Sequence, residues 1–146
     1  MSTLTGDLEV DMAGCTIDIE EWGDYWGCGY CNWYIMMYPN VANGNRGYFQ
    51  FDLISAYVDA ASGYLGTYTG SFNFEPSTYI TGFNDGGQAG GSWYFEEDGN
   101  NIYNQAPLSQ GTLEITLNED GTHTFELEAY DDAGNLITMS HTADLS

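Results

Sequence analysis

Apolar and polar residues alternate with a period of two over much of the chain. In GTLEITL, Leu113, Ile115 and Leu117 alternate with Thr112, Glu114 and Thr116; in THTFELEAY, Phe125, Leu127 and Ala129 alternate with Thr124, Glu126 and Glu128. Near the start, Leu8, Val10 and Met12 alternate with Asp7, Glu9 and Asp11, and then Cys15, Ile17 and Ile19 with Thr16, Asp18 and Glu20. Successive side chains of a strand point to opposite faces, so each run predicts a half-buried strand with one wet face. The middle adds CNWYIMMY (31–38), RGYFQFDLISAY (46–57), GYLGTYTGSFNF (63–74) and GSWYFEE (91–97). In the third of these Tyr64, Gly66, Tyr68, Gly70, Phe72 and Phe74 share a face, and the glycines predict bends or rings packed across the strand. Turn residues separate the runs at Ala13-Gly14, NEDG (118–121) and DDAGN (131–135). STYITGFNDGGQAGG (77–91), the longest glycine-rich stretch, predicts a mobile loop. Helical periodicity is weak throughout; ISAYVDAASG (54–63) allows at most a short helical turn. Together these features predict one all-β domain over 1–146, an antiparallel β-sandwich or calycin-like barrel of about 8–10 strands.

Charge narrows the partners. The 146 residues carry 22 carboxylates against one basic side chain, Arg46, for a formal net charge of −21. Nucleic acid and anionic membrane surfaces are poor partners, because both rest on Lys and Arg meeting phosphates. Cations, neutral sugars and other proteins stay open. Such a charge strains the compact state by self-repulsion, so salt or divalent ions should stabilise it; a lysine-free, acid-rich surface also fits salt adaptation. The 16% aromatic content and the strong apolar pattern argue against disorder. No run has the length of a membrane span and no signal peptide is visible. The opening MSTLTGDLEV reads as an initiator Met joined to a domain from a longer product.

The C-terminal third carries a resemblance. PLSQGTLEITLNEDGTHTFELEAYDDAGNLITMSHTADL resembles the closing strands of a domain widespread in secreted lipoproteins of gut Bacteroidetes: a Gly-Thr-led strand, an acidic-Gly turn, a Thr-rich strand, Asp-Asp-x-Gly-Asn and a final strand. GDYWGCGYCNWYIMMY, LGTYTGSFNF and GSWY are similar to its earlier strands, so the likeness spans nearly the whole chain. It implies an all-β sandwich or calycin-like barrel, export, and attachment to the outer-membrane surface through a lipid on the full-length precursor. Its motifs are turns and strand alternation, with no catalytic signature. The chain departs from it in having no lipidation cysteine near the N-terminus, Cys15 lying within a strand pattern, and in its cysteine pair.

WGDYWGCGYCNWY (22–34) concentrates the candidate chemistry: three of the chain's tryptophans, three tyrosines and a Cys-x-x-Cys. Trp22, Tyr25, Trp26 and Tyr30 lie among Gly and Asp, as in a loop. Exposed flat rings stack on the C–H faces of pyranose sugars, while Glu21, Asp24 and Asn32 could take the hydroxyls. The same rings could anchor a protein partner or plug one end of the sandwich. Trp33, Tyr34, Trp93 and Tyr94 fall in strands, with at least one of each pair expected in the core.

Residues three apart in a strand lie roughly 10 Å apart, against the about 4.4–6.8 Å between Cα atoms that a disulfide needs. A Cys28–Cys31 bridge therefore requires a turn at Gly29-Tyr30. A bridge from Cys15 to either partner, free thiols, and a zinc site completed by His123 or His141 are the other readings. A thioredoxin-type centre is disfavoured, because no βα pattern surrounds the pair. Calcium is the candidate cofactor, with EEDGNN (96–101), NEDGT (118–122) and DDAGN (131–135) offering oxygens at turns, Asp131, Asp132 and Asn135 above all; none matches an EF-hand loop. His123 and His141 have the parity of apolar neighbours and read as structural. With so many acids, chance carboxylate pairs carry no information about glycoside hydrolysis.

Three function classes follow: a non-catalytic glycan-binding surface module, a structural or adhesive surface domain without a small ligand, and a barrel holding a small apolar ligand against Phe49, Phe51, Tyr68 and Phe72. The expected location is extracytoplasmic.

Overall fold

A computed structural model describes residues 1–56, 63–99 and 101–145. The helical turn considered near 54–63 falls largely outside the described residues. The strands are β1 (Leu8–Val10), β2 (Thr16–Gly23), β3 (Cys31–Tyr38), β4 (Gly47–Ser55), β5 (Gly66–Ser71), β6 (Thr78–Ile80), β7 (Phe83–Asp85), β8 (Gln88–Gly90), β9 (Trp93–Asp98), β10 (Asn101–Pro107), β11 (Gly111–Leu117), β12 (His123–Tyr130) and β13 (Leu136–Ala143). A 3-10 turn at Val41–Asn43 is capped by Asn40, whose side chain accepts from the Ala42 N–H.

The chain is all-β. Eleven strands form one sheet in the order β1-β13-β12-β11-β5-β6-β4-β3-β2, with β9 joined to β4 and β10 to β9. Pairing is antiparallel except for two short parallel pairs, β1 with β13 and β5 with β6. The two ends of this order, β1 and β2, do not pair with each other, so among the described residues the sheet does not close into a barrel. It is consistent with a sandwich whose inner faces share one core.

The period-two runs explain that core. In the β11–β12 hairpin, Leu113 faces Leu127 and Ile115 faces Phe125, all at most 3% exposed, while Glu114 and Glu126 oppose each other on the wet face. Trp33, Ile35 and Met37 from β3 and Phe49, Phe51 and Leu53 from β4 join the same cluster. Burying each such side chain contributes about 1.5–3 kcal/mol. Phe49, Phe51 and Tyr68, expected to line a barrel interior, are packed core, whereas Phe72 is 48% exposed on the outside. Trp33, Trp93 and Tyr94 are buried as expected, and Tyr34 is half-buried. In β2 the inward Ile17 and Ile19 are only half-buried, because β2 is an edge with a neighbour on one side.

β4, like the short β6 beside it, is buried on both faces. Gln50, Asp52 and Ile54 point away from the core yet are also covered. Part of that cover is the 77–91 segment, which is ordered rather than a free loop: β6 is followed by the β7–β8 hairpin. Gly86 and Gly87 hold φ of 60° and 93° between Asp85 and Gln88, the left-handed pair that a two-residue hairpin turn requires. The Gln50 amide donates to the carbonyls of Ala89 (3.2 Å) and Gly91 (2.7 Å), and the Asp52 backbone N–H donates to Ser92 Oγ (3.0 Å). At Gly70 a Cβ would lie 2.0 Å from the Ser109 carbonyl oxygen and 2.7 Å from the Tyr79 hydroxyl, so the glycine does admit a ring across the strand. β10 carries no period-two signal in NIYNQAP and was not expected.

Candidate functional site

The outward face of β3 and β4 carries the 22–34 segment. β2 ends in a bulge between Glu21 and Gly23, and the chain then folds over the sheet. Gly23, Gly27 and Gly29 take positive φ there. The turn is braced from within: Tyr25 N–H donates to the Gly23 carbonyl (2.9 Å) and Gly29 N–H donates to Asp24 Oδ2 (3.0 Å). Asp24 is thus a strut of the loop, with one oxygen already engaged.

Seven rings form a continuous ribbon across this face. Tyr34 stacks on Trp22 (centroids 4.7 Å apart, planes 11° apart). Contacts of 5.1–5.2 Å then run from Trp22 to Tyr25, Trp26, Phe74, Phe72 and Phe83. Tyr25 is 61% exposed, Phe72 48% and Trp22 38%; Tyr30 is also exposed, Trp26 and Phe74 half-buried. The Trp22 indole N–H donates to Glu20 Oε2 (2.9 Å), which fixes the ring's orientation. Phe74 sits at φ 56° and Ser77 at φ 61°, left-handed conformations that cost non-glycine residues energy and cluster at functional places.

A buried polar cluster lies under the ribbon. Asp52 is 3% exposed and Asn32 1%. The Asn32 amide donates to Asp52 Oδ1 (2.5 Å) and to the Leu53 carbonyl (2.9 Å). Asn32 therefore lies beneath the platform and not among groups that could meet a ligand's hydroxyls, because β3 turns it onto a face the loop covers. Burial pushes the Asp52 carboxyl up to about 6; the Asn32 amide and the Trp26 indole N–H pull the other way. That indole nitrogen and Asn32 Oδ1 are both buried without a hydrogen-bond partner. The Tyr34 hydroxyl is raised well beyond its ordinary range by burial, then by the charges of Asp52, Tyr38, Glu20 and Tyr48.

Sequence reasoning missed Asp52, Phe72, Phe74 and Phe83 as parts of this site. Asp52 had one signal: it shares parity with Tyr48 and Gln50 in a run too apolar for an exposed face. The phenylalanines arrive from a distant segment and had none.

The cysteines are free in this structure. Cys15 precedes β2 while Cys31 begins the antiparallel β3, so the two lie at opposite ends of the pair, about 25 Å apart at 3.3 Å per residue. A Cys15 bridge to Cys28 or Cys31 is thereby ruled out. Cys31 is buried, its Sγ 3.8 Å from Glu21 Oε1; burial first and then the Glu21 charge raise its thiol pKa. Burial raises Cys15 to about 11. Cys28 is half-buried in the loop.

The calcium candidates are spent on turns. Asp131 Oδ1 accepts from the N–H groups of Ala133 and Asn135, and its Oδ2 from the Asn135 amide; Asp132 Oδ1 accepts from the Ser2 N–H. Burial pushes Asp131 up, but the donors of Ser2, Asn135 and Ala133 together hold it below its ordinary value. Asp120 accepts from the Thr122 N–H and hydroxyl, and Glu96 from Tyr94 and Asn104. Among the described residues no three His, Cys, Asp or Glu side chains converge as metal ligands. His123 Nε2 lies 3.2 Å from the Tyr64 hydroxyl.

Comparison with known proteins finds no matching family model, no similar curated protein and no similar solved structure. Among the described residues no helix is long and apolar enough to cross a membrane.

Proposed function

We propose that the chain is a non-catalytic extracellular or cell-surface module that binds a neutral glycan on the ring ribbon. The observation that carries this is the unbroken row from Tyr34 to Phe83, with Trp22, Tyr25 and Phe72 exposed. A plug for the sandwich would turn its rings inward; these lie on the outer face, above a core already filled. The ribbon is open rather than pocketed, which suits an extended chain more than a single sugar. With 22 carboxylates and one Arg, the surface repels uronic and sulfated glycans, leaving neutral or amino sugars. Export and a lipid-anchored precursor belong to this reading through the resemblance of the C-terminal strands alone. Calcium is a proposed accessory, tested below.

The test is a binding screen over neutral, amino and anionic polysaccharides, with and without calcium. Wild type is compared with Trp22→Ala and Tyr25→Ala, each checked for folding by circular dichroism. Retention on a neutral glycan, lost in the folded variants, is expected. Failure to bind across the panel favours the alternative of a structural or adhesive domain whose exposed rings meet another protein.

A further inference from the structure

β2 is an open edge of the sheet. Among the described residues it pairs only with β3, and the strand order ends there. Half of the backbone N–H and C=O groups of such a strand point away from its one neighbour, a ready template for another strand. The far end of β2 is blunted: Glu21 shares the inward parity of Ile17 and Ile19, and a bulge lies between Glu21 and Gly23. Residues 16–20 carry no proline, lysine or bulge and run for about 16 Å at strand spacing. This stretch borders a groove of about 610 Å³, lined by Cys15, Ile17, Ile19, Trp33, Tyr64 and Leu145 among others. We propose that residues 16–20 dock an extended segment of a partner protein, in which small apolar side chains alternate with Lys or Arg. The docking site is the rim of the sheet and not the ring face, so it stands apart from the glycan reading.

Each requirement on the partner comes from one feature of the edge. The outward backbone groups of residues 16–20 need a second ladder, which a strand offers and a helix does not, because a helix spends its own N–H and C=O groups internally. Ile17 and Ile19 are only half-buried although they face the core. A strand laid beside them would continue their pleat, and its inward side chains would enter the groove and complete that burial. Its outward side chains would stand beside Asp18 and Glu20, both exposed on the other face of β2. Opposite charges across a pair of strands attract and like charges repel. The outward positions therefore call for Lys or Arg, at the same two-residue spacing as the acids. The same rule sets aside a second copy of this chain, whose β2 would bring Asp18 and Glu20 against their own kind and a net charge of −21 against −21. Asp18 and Glu20 thus protect the edge from acidic strands and leave it open to basic ones.

The probe is a capped seven-residue peptide of alternating lysine and valine, titrated into 15N-labelled protein at about 0.15 M NaCl to screen long-range attraction. The amides of residues 16–20 should shift, and their hydrogen exchange should slow. Two further peptides carry N-methyl groups on all the lysines or on all the valines. One of these two sets faces the docked edge, so at least one of the methylated peptides should lose binding. Replacing valine with serine should weaken binding, and replacing lysine with glutamate should abolish it. These changes lie in the peptide, so folding of the protein is not at issue. Asp18→Lys, at an exposed position, should raise the dissociation constant about 3- to 10-fold. Equal binding by both methylated peptides overturns the proposal, because attraction by charge alone does not read the backbone. So do absence of binding, unchanged affinity in Asp18→Lys, or shifts confined to the ring ribbon or to the face of Glu114 and Glu126.

Discussion

Replacing Asp52 with Asn should make the protein more stable at neutral pH and equally stable in acid. The carboxyl rises from 3.8 in an ordinary setting to about 6 in the fold. Burial is the leading cause, so the folded state disfavours the charged form. The sign follows: the contribution to stability is fully present below the unfolded value and is lost as pH rises through the folded value. A shift of about two units corresponds to about 3 kcal/mol at 1.36 kcal/mol per unit. That is a ceiling, because any local rearrangement that hydrates the carboxylate relieves the charge at a lower cost. Asn keeps the acceptor that Asn32 uses and carries no charge. Urea unfolding of both proteins from pH 3.5 to 8, followed by far-UV circular dichroism, measures the gap. It should be near zero in acid and widen in the variant's favour by up to about 3 kcal/mol above pH 7, a shift of about 1 M or more in urea midpoint. Comparing the two proteins cancels the other carboxylates. A gap constant across this range, or a variant weaker at pH 8, would refute the reasoning.

Gly70→Ala should cost about 3 kcal/mol or more, or prevent folding, because the Ser109 backbone cannot retreat from the new methyl; a thermal melt decides it. Ellman's reagent on native protein should find one fast thiol, removed by Cys28→Ser, since Cys31 is buried and the Cys15 thiol is pushed to about 11; two missing thiols under denaturing, non-reducing conditions would show a Cys28–Cys31 bridge instead. Added NaCl should raise the melting temperature, because Glu9, Asp11, Glu114, Glu126 and Glu128 line one trough of about 680 Å³ and Glu114 directly opposes Glu126. A melt unchanged by salt would mean that these charges are already well solvated.

The fold was legible where alternation was regular. The runs around Leu113, Phe125 and Ile17 became β11, β12 and β2 with the expected faces inward, since a pleated strand next to one core leaves no other arrangement. The candidate site was legible in half. Tyr25 and Tyr30 are exposed as a Gly- and Asp-rich loop suggests, and Trp22 is exposed too, though it lies in β2 and not in the loop; Asn32 is buried, Asp24 braces the loop, and Asp131 closes a turn. Asn32 donates across the sheet to Asp52 and the Leu53 carbonyl, whereas Asp24 and Asp131 accept from the N–H groups of their own turns. The glycine-rich 77–91 stretch reads as a loop until β4 is seen to need a cover, and the hairpin supplies one through Gln50.

Short-range pattern was therefore sufficient for the class of fold, the acidic wet faces and the aromatic loop, because all three depend on residues within a few positions of each other. Tertiary structure alone decided that the sheet stays open at β1 and β2, that Phe72, Phe74 and Phe83 extend the ring ribbon, and that a carboxylate is buried beneath Trp26. Strand order and ring contacts join segments dozens of residues apart, and the pKa of Asp52 is set by what covers it, which its own strand does not encode.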